Sequence, residues 1–389
     1  MARKVPAPAR LSLPALELFP KPVRETTTRK GERMGRRGRR RQGEWRGALA
    51  LVALLATLVV SLAGCASSGA TGAQGKAGAA PTPIATLTLP PPLARYSVFV
   101  TDVLTGNMAE LGKQTWHVSQ SIHGLGLSAD GKTLYVTDVA ANRLFAFDLS
   151  NGAPKEIHSV GVGVYPVHMV ATHDGSAIFV TSFGGSSVAV IDGRTWKPQK
   201  MITTPQRPHS VVISPDGQWV YTGCYGGAAI AVINVASESL AATIPLPQLA
   251  EPYGLAISPD GHYLYASDNL TGRLFVVDAP ARRVVASVAV GLHPALIAHS
   301  PDGKTLYVAN GGSHTVSVVD ISRDPAHPTV KATVAVTGYP HGIAVSPDGR
   351  YVVVANTLGK DLSVIDVASL KVIATIPGER YPNDVLITG

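Results

Sequence analysis

The sequence predicts an all-β protein, a seven-bladed β-propeller with four antiparallel strands per blade, and three observations predict it. The tetrapeptide Ser-Pro-Asp-Gly stands at 214–217, 258–261, 300–303 and 346–349, with degenerate copies Ser-Ala-Asp-Gly at 128–131 and Thr-His-Asp-Gly at 172–175. The turn aspartates fall at 130, 174, 216, 260, 302 and 348, in steps of 42 to 46 residues, a period that belongs to propeller blades. The two ends of the array are incomplete in complementary ways, so that they make one further blade between them.

Each turn has a physical basis. Proline pre-sets φ for a type I turn, a short polar side chain is favoured at the aspartate, and glycine takes the next position, where φ is often positive. A short apolar run precedes the turn, as in Val211-Val212-Ile213 and Ile343-Ala344-Val345, and a β-rich run follows, as in Tyr351-Val352-Val353-Val354-Ala355. A third run ends in Asp or Asn (144–148, 188–192, 230–234, 274–278, 316–320, 362–366) and a fourth follows it (155–160, 199–203, 240–246, 284–290, 331–336, 371–377). Four strands per unit without helical periodicity is the content of a blade.

The opening segment supplies a second strand at 96–102 and a fourth at 115–121 but has no first strand. The chain closes with Tyr381-Pro382-Asn383-Asp384-Val385-Leu386-Ile387, which matches the first strand Tyr339-Pro340-His341-Gly342-Ile343-Ala344-Val345. Residues 96–389 are 294 positions, seven times 42. The C-terminal strand is therefore expected to pair with the N-terminal ones, which removes the open edges that would template aggregation.

The units read S-P-D-G-x-x-L-Y-V-x-N/D followed by V-x-V-I/V-D, and Tyr135-Val136-Thr137-Asp138 nearly spells a known signature. They resemble the bacterial YVTN-type β-propeller repeat of surface-layer-like and YncE-like extracytoplasmic proteins, over about three quarters of the chain. More general resemblance extends to lactonase-like propellers, the propeller subunits of amine dehydrogenases and the propeller domain of nitrous oxide reductase. The resemblance implies the fold; propellers carry unrelated activities on one scaffold, so it does not by itself imply a reaction.

Residues 1–95 stand outside the array. The cationic stretch 35–41, the apolar segment Ala48–Leu62 and the sequence Leu62-Ala63-Gly64-Cys65 occur in the order of a secretory signal. The last four residues resemble the lipobox of bacterial lipoproteins, which implies lipid attachment at Cys65. An apolar run of 15 residues is short for the roughly 20 that a membrane span needs. The expected organisation is a signal region over 1–64, with Met34 a second candidate start, a lipidated flexible linker over 65–95 rich in Ala, Gly, Ser, Thr and Pro, and the propeller over 96–389. The protein is accordingly expected outside the cytoplasm, held to a bacterial membrane by its lipid.

The net charge of +8 misleads about partners. Residues 1–47 hold 14 Lys and Arg against 4 Asp and Glu, while the rest of the chain holds 20 against 22. No basic stripe with interleaved aromatics crosses the array, so nucleic acid is not an expected partner. Once Cys65 is assigned to lipid, Cys224 has no disulfide partner, and its place at the end of a second strand reads as a small buried hydrophobe.

Candidate site residues come from two positions counted off the repeat. Eight residues before each turn Asp stands Ile122, Pro166, Pro208, Pro252, Pro294 or Pro340, with Pro382 in the closing strand. The next residue is His123, Val167, His209, Tyr253, Ala295, His341 or Asn383, and His168 and His293 lie one position off this ring. The second strands end in Asp102, Asp138, Ser182, Cys224, Asp268, Asn310 and Asn356. Both rings are expected at one funnel, where His123, His209, Tyr253, His341, Asn383, Asp138, Asp268 and Asn310 are candidates for holding a small polar ligand. The competing structural role is that a histidine after proline bonds backbone at a strand entry and that strand-end Asp or Asn makes a local turn.

No G-x-S-x-G elbow, His-Glu-x-x-His, phosphate-cradling loop or Cys-x-x-Cys-His occurs, so no catalytic residues are assigned and no cofactor is predicted. A metal would need three or four donors about 2.0–2.2 Å from one ion, and the three ring histidines, fewer than at the copper site of the nitrous oxide reductase propeller, lie in non-adjacent blades. The functional expectation is a lipid-anchored binding or interaction module of the cell envelope, monomeric by default, with an envelope protein or a small polar ligand as partner. The alternatives are a lactonase-like or lyase-like enzyme using funnel histidines and carboxylates, and a propeller subunit of an envelope redox enzyme.

Overall fold

The structure, a computed structural model, describes residues 89–378 and 380–389. The expected signal region, Cys65 and the expected linker up to residue 88 lie outside the described residues.

Seven four-stranded antiparallel sheets follow one another. Blades 1 to 6 begin with the inner strands Ile122–Leu127, Pro166–Ala171, Pro208–Ile213, Pro252–Ile257, Pro294–His299 and Pro340–Val345. Blade 7 is composite: the C-terminal strand Pro382–Thr388 takes the inner place and pairs antiparallel with Ser97–Asp102, followed outward by Asn107–Glu110 and Gln114–His117. The fourth strand expected at 115–121 is thus shorter than the sequence suggested. Order also begins before Tyr96, because Pro91–Leu93 forms a 3-10 turn that seats Leu93, fully buried, among Tyr96, Val98 and Val353.

The Asp-Gly turns form a hydrogen-bonded unit. The Ser214 hydroxyl donates to Asp216 Oδ1 and accepts the Trp219 N–H at 2.9 Å, and Asp216 Oδ1 accepts the Gln218 N–H at 3.0 Å. The same arrangement recurs at Ser258 with Asp260 and at Ser300 with Asp302. Gly217 closes the turn at φ 70°, a conformation that other L-residues adopt only with strain.

Seven apolar clusters hold the blades together, one at each junction between neighbours. A strand points alternate side chains to its two faces, and both faces of every blade are covered by the next. That is why the second and third strands read as nearly continuous Val, Ile, Leu and Ala.

A second set of contacts crosses the junctions near the axis. The Thr181 hydroxyl donates to the His209 carbonyl of the next blade at 2.8 Å and accepts the His168 N–H at 3.1 Å. Thr137 and Ser267 repeat this toward Val167 and Ala295, and Thr101 toward His123. The backbones approach so closely there that a Cβ on Gly124 would lie 2.2 Å from the Val167 carbonyl oxygen.

Candidate functional site

The inner strands carry an irregularity that determines the site. In each, the ladder slips just after the entry residue, as where Pro208 faces Cys224 but Val211 already faces Thr222. The same slip occurs in all the other blades. One extra residue is accommodated, so two consecutive side chains leave the ladder near the channel mouth. This is how His168, the second residue after its entry position, joins a cluster otherwise built from the first.

Four imidazoles meet at the axis. His123 lies with its ring centroid 5.2 Å from His168, 5.7 Å from His209 and 5.9 Å from His341, and His168 lies 5.0 Å from His209. All four are buried. Tyr253 packs on His209 at 3.8 Å between centroids, and its hydroxyl reaches His341 Nε2 at 2.9 Å. The blade between Tyr253 and His341 contributes only Ala295 at the equivalent position, and the Tyr253 hydroxyl spans the gap.

Backbone partners fix two tautomers. His341 Nδ1 faces the Asn383 carbonyl at 3.0 Å and His209 Nδ1 the Tyr253 carbonyl at 3.2 Å, and a carbonyl only accepts. Both Nδ1 atoms therefore carry hydrogen, His341 Nε2 accepts the Tyr253 hydroxyl proton, and His209 keeps a lone pair on Nε2. His341 supplies the carbonyl contact that a threonine or serine makes in other blades, its own second strand having Ala355 there. His168 Nε2 is buried without a hydrogen-bonding partner among the described residues, and the His123 ring lies against the Val167 carbonyl.

The cluster is uncharged at neutral pH. Burial, reinforced for His123, His168 and His209 by the neighbouring imidazoles, pushes the imidazoles down, His168 to about 3. Burial likewise holds the Tyr253 phenol protonated. Asp384, 3.9 Å from His168 Nδ1, is pushed up to about 6 by burial, opposed by the N–H groups of Leu125 and Val385 that its carboxylate accepts.

The sequence-predicted residues divide into two groups. His123, His209, Tyr253, His341 and Asn383 come together, Asn383 through its carbonyl toward His341 and its amide toward the His123 carbonyl at 3.3 Å. Asp138, Asp268 and Asn310 bond their own turns and linkers instead: Asp138 Oδ1 accepts the N–H groups of Ala140 and Ala141, Asp268 those of Glu251 and the Thr271 hydroxyl, and Asn310 that of Gly291. Cys224 is fully buried, and burial raises its thiol to about 12, so it remains a thiol. Among the described residues no group of three or more His, Cys, Asp or Glu is arranged to hold a metal ion.

Sequence counting also missed an aromatic wall above the cluster. Phe183 lies 5.9 Å from both Tyr165 and His209 and 6.1 Å from Tyr225, and Tyr225 lies 5.8 Å from Tyr253. The Tyr339 ring covers Gly311. Tyr165 and Tyr339 immediately precede the entry proline, and Phe183 and Tyr225 immediately follow the second strand; one step outward in each counted ring would have found them. Tyr165, Arg207, His293 and Tyr339 hold φ between 47° and 58°, a left-handed conformation costly for bulky residues that no sequence signal announces.

No curated protein sequence matches the chain. Among solved structures, the periplasmic gluconolactonase of Pseudomonas aeruginosa is similar over 76% of this chain and 99% of its own, with 21% identity and a TM-score of 0.66. The hydrazine synthase of Kuenenia stuttgartiensis is similar over 69% of this chain and 91% of its own, with 23% identity and a TM-score of 0.59. At such identities these likenesses show the shared propeller fold. The family model described as lactonase, 7-bladed beta-propeller matches residues 105–371, and the chain belongs to that family.

Proposed function

We propose that this protein is a lactonase-like propeller enzyme that opens a lactone by hydrolysis at the histidine cluster. The observation that carries the reading is the Tyr253 hydroxyl bonded to His341 Nε2 within a group of buried, uncharged imidazoles. Membership of the lactonase family favours it over the envelope binding module expected first from the sequence.

His123 is the base in this reading. Its ring touches three other imidazoles, and burial among them keeps it neutral. A neutral imidazole in a dry site takes a proton from water as that water attacks. The water oxygen bonds to the lactone carbonyl carbon and its proton passes to the His123 imidazole. Collapse of the tetrahedral species breaks the ring C–O bond, and His123 returns the proton to the leaving alkoxide. The product is the open hydroxy acid. Tyr253, held by His341, positions the reacting groups with an oxygen that stays protonated.

We also place the enzyme in the cell envelope, tethered by lipid at Cys65, on the order of cationic, apolar and lipobox-like segments before the propeller. The activity test is lactone opening by the full-length protein, followed as acid release at constant pH. His123→Gln is expected to lower turnover about 10²-fold or more. Absence of turnover in the natural protein, or turnover unaffected by His123→Gln, overturns the reading.

A further inference from the structure

The funnel above the histidine cluster is apolar on a molecule whose charge lies elsewhere. Six of its loop residues are large exposed aliphatics: Leu104 at 37%, Val164 at 58%, Leu249 at 71%, Leu270 at 51%, Leu292 at 63% and Leu358 at 36% exposure. They sit in the linkers entering the inner strands or in the turns after the second strands, in at least five blades. The remaining exposed large hydrophobics, Ile157, Met201, Leu240, Val372 and Ile373, all lie on outermost strands. Solvent-exposed aliphatics gathered on one face of a protein mark a surface that binds something apolar.

The wall beneath this rim is aromatic, through Tyr165, Phe183, Tyr225 and Tyr339. Charge is sparse there: among the described residues, these loops carry Arg207, Glu251, Lys360 and Arg380 as their only Asp, Glu, Lys or Arg. Arg207 stands over Phe183 at 5.8 Å and Lys360 over Tyr381 at 5.6 Å, so both cations lie on rings rather than side by side. Two of the amides are already committed, Asn142 to the Tyr165 N–H and Asn269 to the Pro294 carbonyl. The opposite face, by contrast, holds the aspartates of every Asp-Gly turn.

We infer that the site takes an uncharged lactone bearing an alkyl or aryl substituent, its ring against the histidine cluster and its substituent along the tyrosine wall to the leucine rim. A phosphorylated lactone would need a converging set of cations, and a polyhydroxylated one a set of free carboxylates and amides, to replace the water each gives up. This inference rests on the lactonase reading for the chemistry, but not for the binding.

Binding is tested with unreactive δ-lactams on the full-length protein by isothermal titration: 6-heptyl-2-piperidone as the apolar probe and gluconolactam as the polyhydroxylated one. The alkyl lactam is expected to bind at least about tenfold more tightly, the equivalent of about 1.4 kcal/mol. Leu249→Asp and Leu292→Asp, at exposed positions where folding is retained, are each expected to weaken the alkyl lactam about fivefold and leave gluconolactam unchanged. Equal or tighter binding of gluconolactam, or faster opening of 6-phosphogluconolactone than of an alkyl δ-lactone, overturns the inference while leaving lactone hydrolysis standing. Tight alkyl-lactam binding by a protein that opens no lactone supports the inference and removes the lactonase reading.

Discussion

The Tyr253 hydroxyl bonds His341 Nε2 at 2.9 Å across a whole intervening blade, 88 residues away in sequence. The contact exists because blade 5 offers only Ala295 between them, and because the Asn383 carbonyl holds the other face of the His341 ring.

Tyr253→Phe removes this bond while keeping the ring that packs on His209. Lactone turnover is expected to fall at least about tenfold, and stability by about 1–3 kcal/mol because the buried His341 acceptor is left unpaired. Turnover and urea denaturation of the same preparation check both; full activity in the variant would remove Tyr253 from the site.

Acid should destabilise the protein above the ordinary carboxylate range. Burial depresses His123, His168, His209 and His341 in the folded state, whereas the unfolded chain takes up protons on them near 6.5. Stability is therefore fully present above about 6.5 and is lost as pH falls toward the folded values, each group contributing up to about 1.4 kcal/mol per pH unit. Asp384 acts oppositely: its folded value of about 6 lies above the unfolded 3.8, so one group regains stability as pH falls from 6 toward 4. Four groups outweigh one, and the urea midpoint is expected to be lower at pH 5 than at pH 7. An equal or higher midpoint at pH 5 contradicts the buried neutral cluster.

Close blade approach makes Gly124 intolerant. A Cβ there would meet the Val167 carbonyl oxygen at 2.2 Å, whereas at Gly161 nothing lies within 4 Å. Gly124→Ala is expected to cost about 1–3 kcal/mol or more, and Gly161→Ala less than about 1 kcal/mol in either direction. Thermal unfolding of the two variants side by side gives the comparison.

Deleting residues 382–389 removes the inner strand of blade 7 and bares the edge of Ser97–Asp102. An exposed edge of this kind pairs with other chains. The truncated protein should elute as oligomers or aggregates in size exclusion with light scattering, and a monodisperse monomer would show that closure is dispensable.

The sequence by itself determined the propeller. A turn with local chemistry, Ser-Pro-Asp-Gly, repeats at blade spacing, and apolar runs between turns can be satisfied only by burial on both faces, so blade number and terminal closure were countable. It also located His123, His209, Tyr253, His341 and Asn383, because each occupies one repeat position. What only the tertiary structure decided is which of these meet and what joins them. The slip in each inner strand brings His168 into the cluster, although sequence placed it one residue off. Left-handed backbone before the prolines carries Tyr165 and Tyr339 at the mouth, although local preference opposes it. Asp138, Asp268 and Asn310, equally conspicuous in sequence, turn to their own loops, where nearby backbone N–H groups bond them. Residues distant in sequence become neighbours only when the ring closes, and no local propensity encodes that closure geometry.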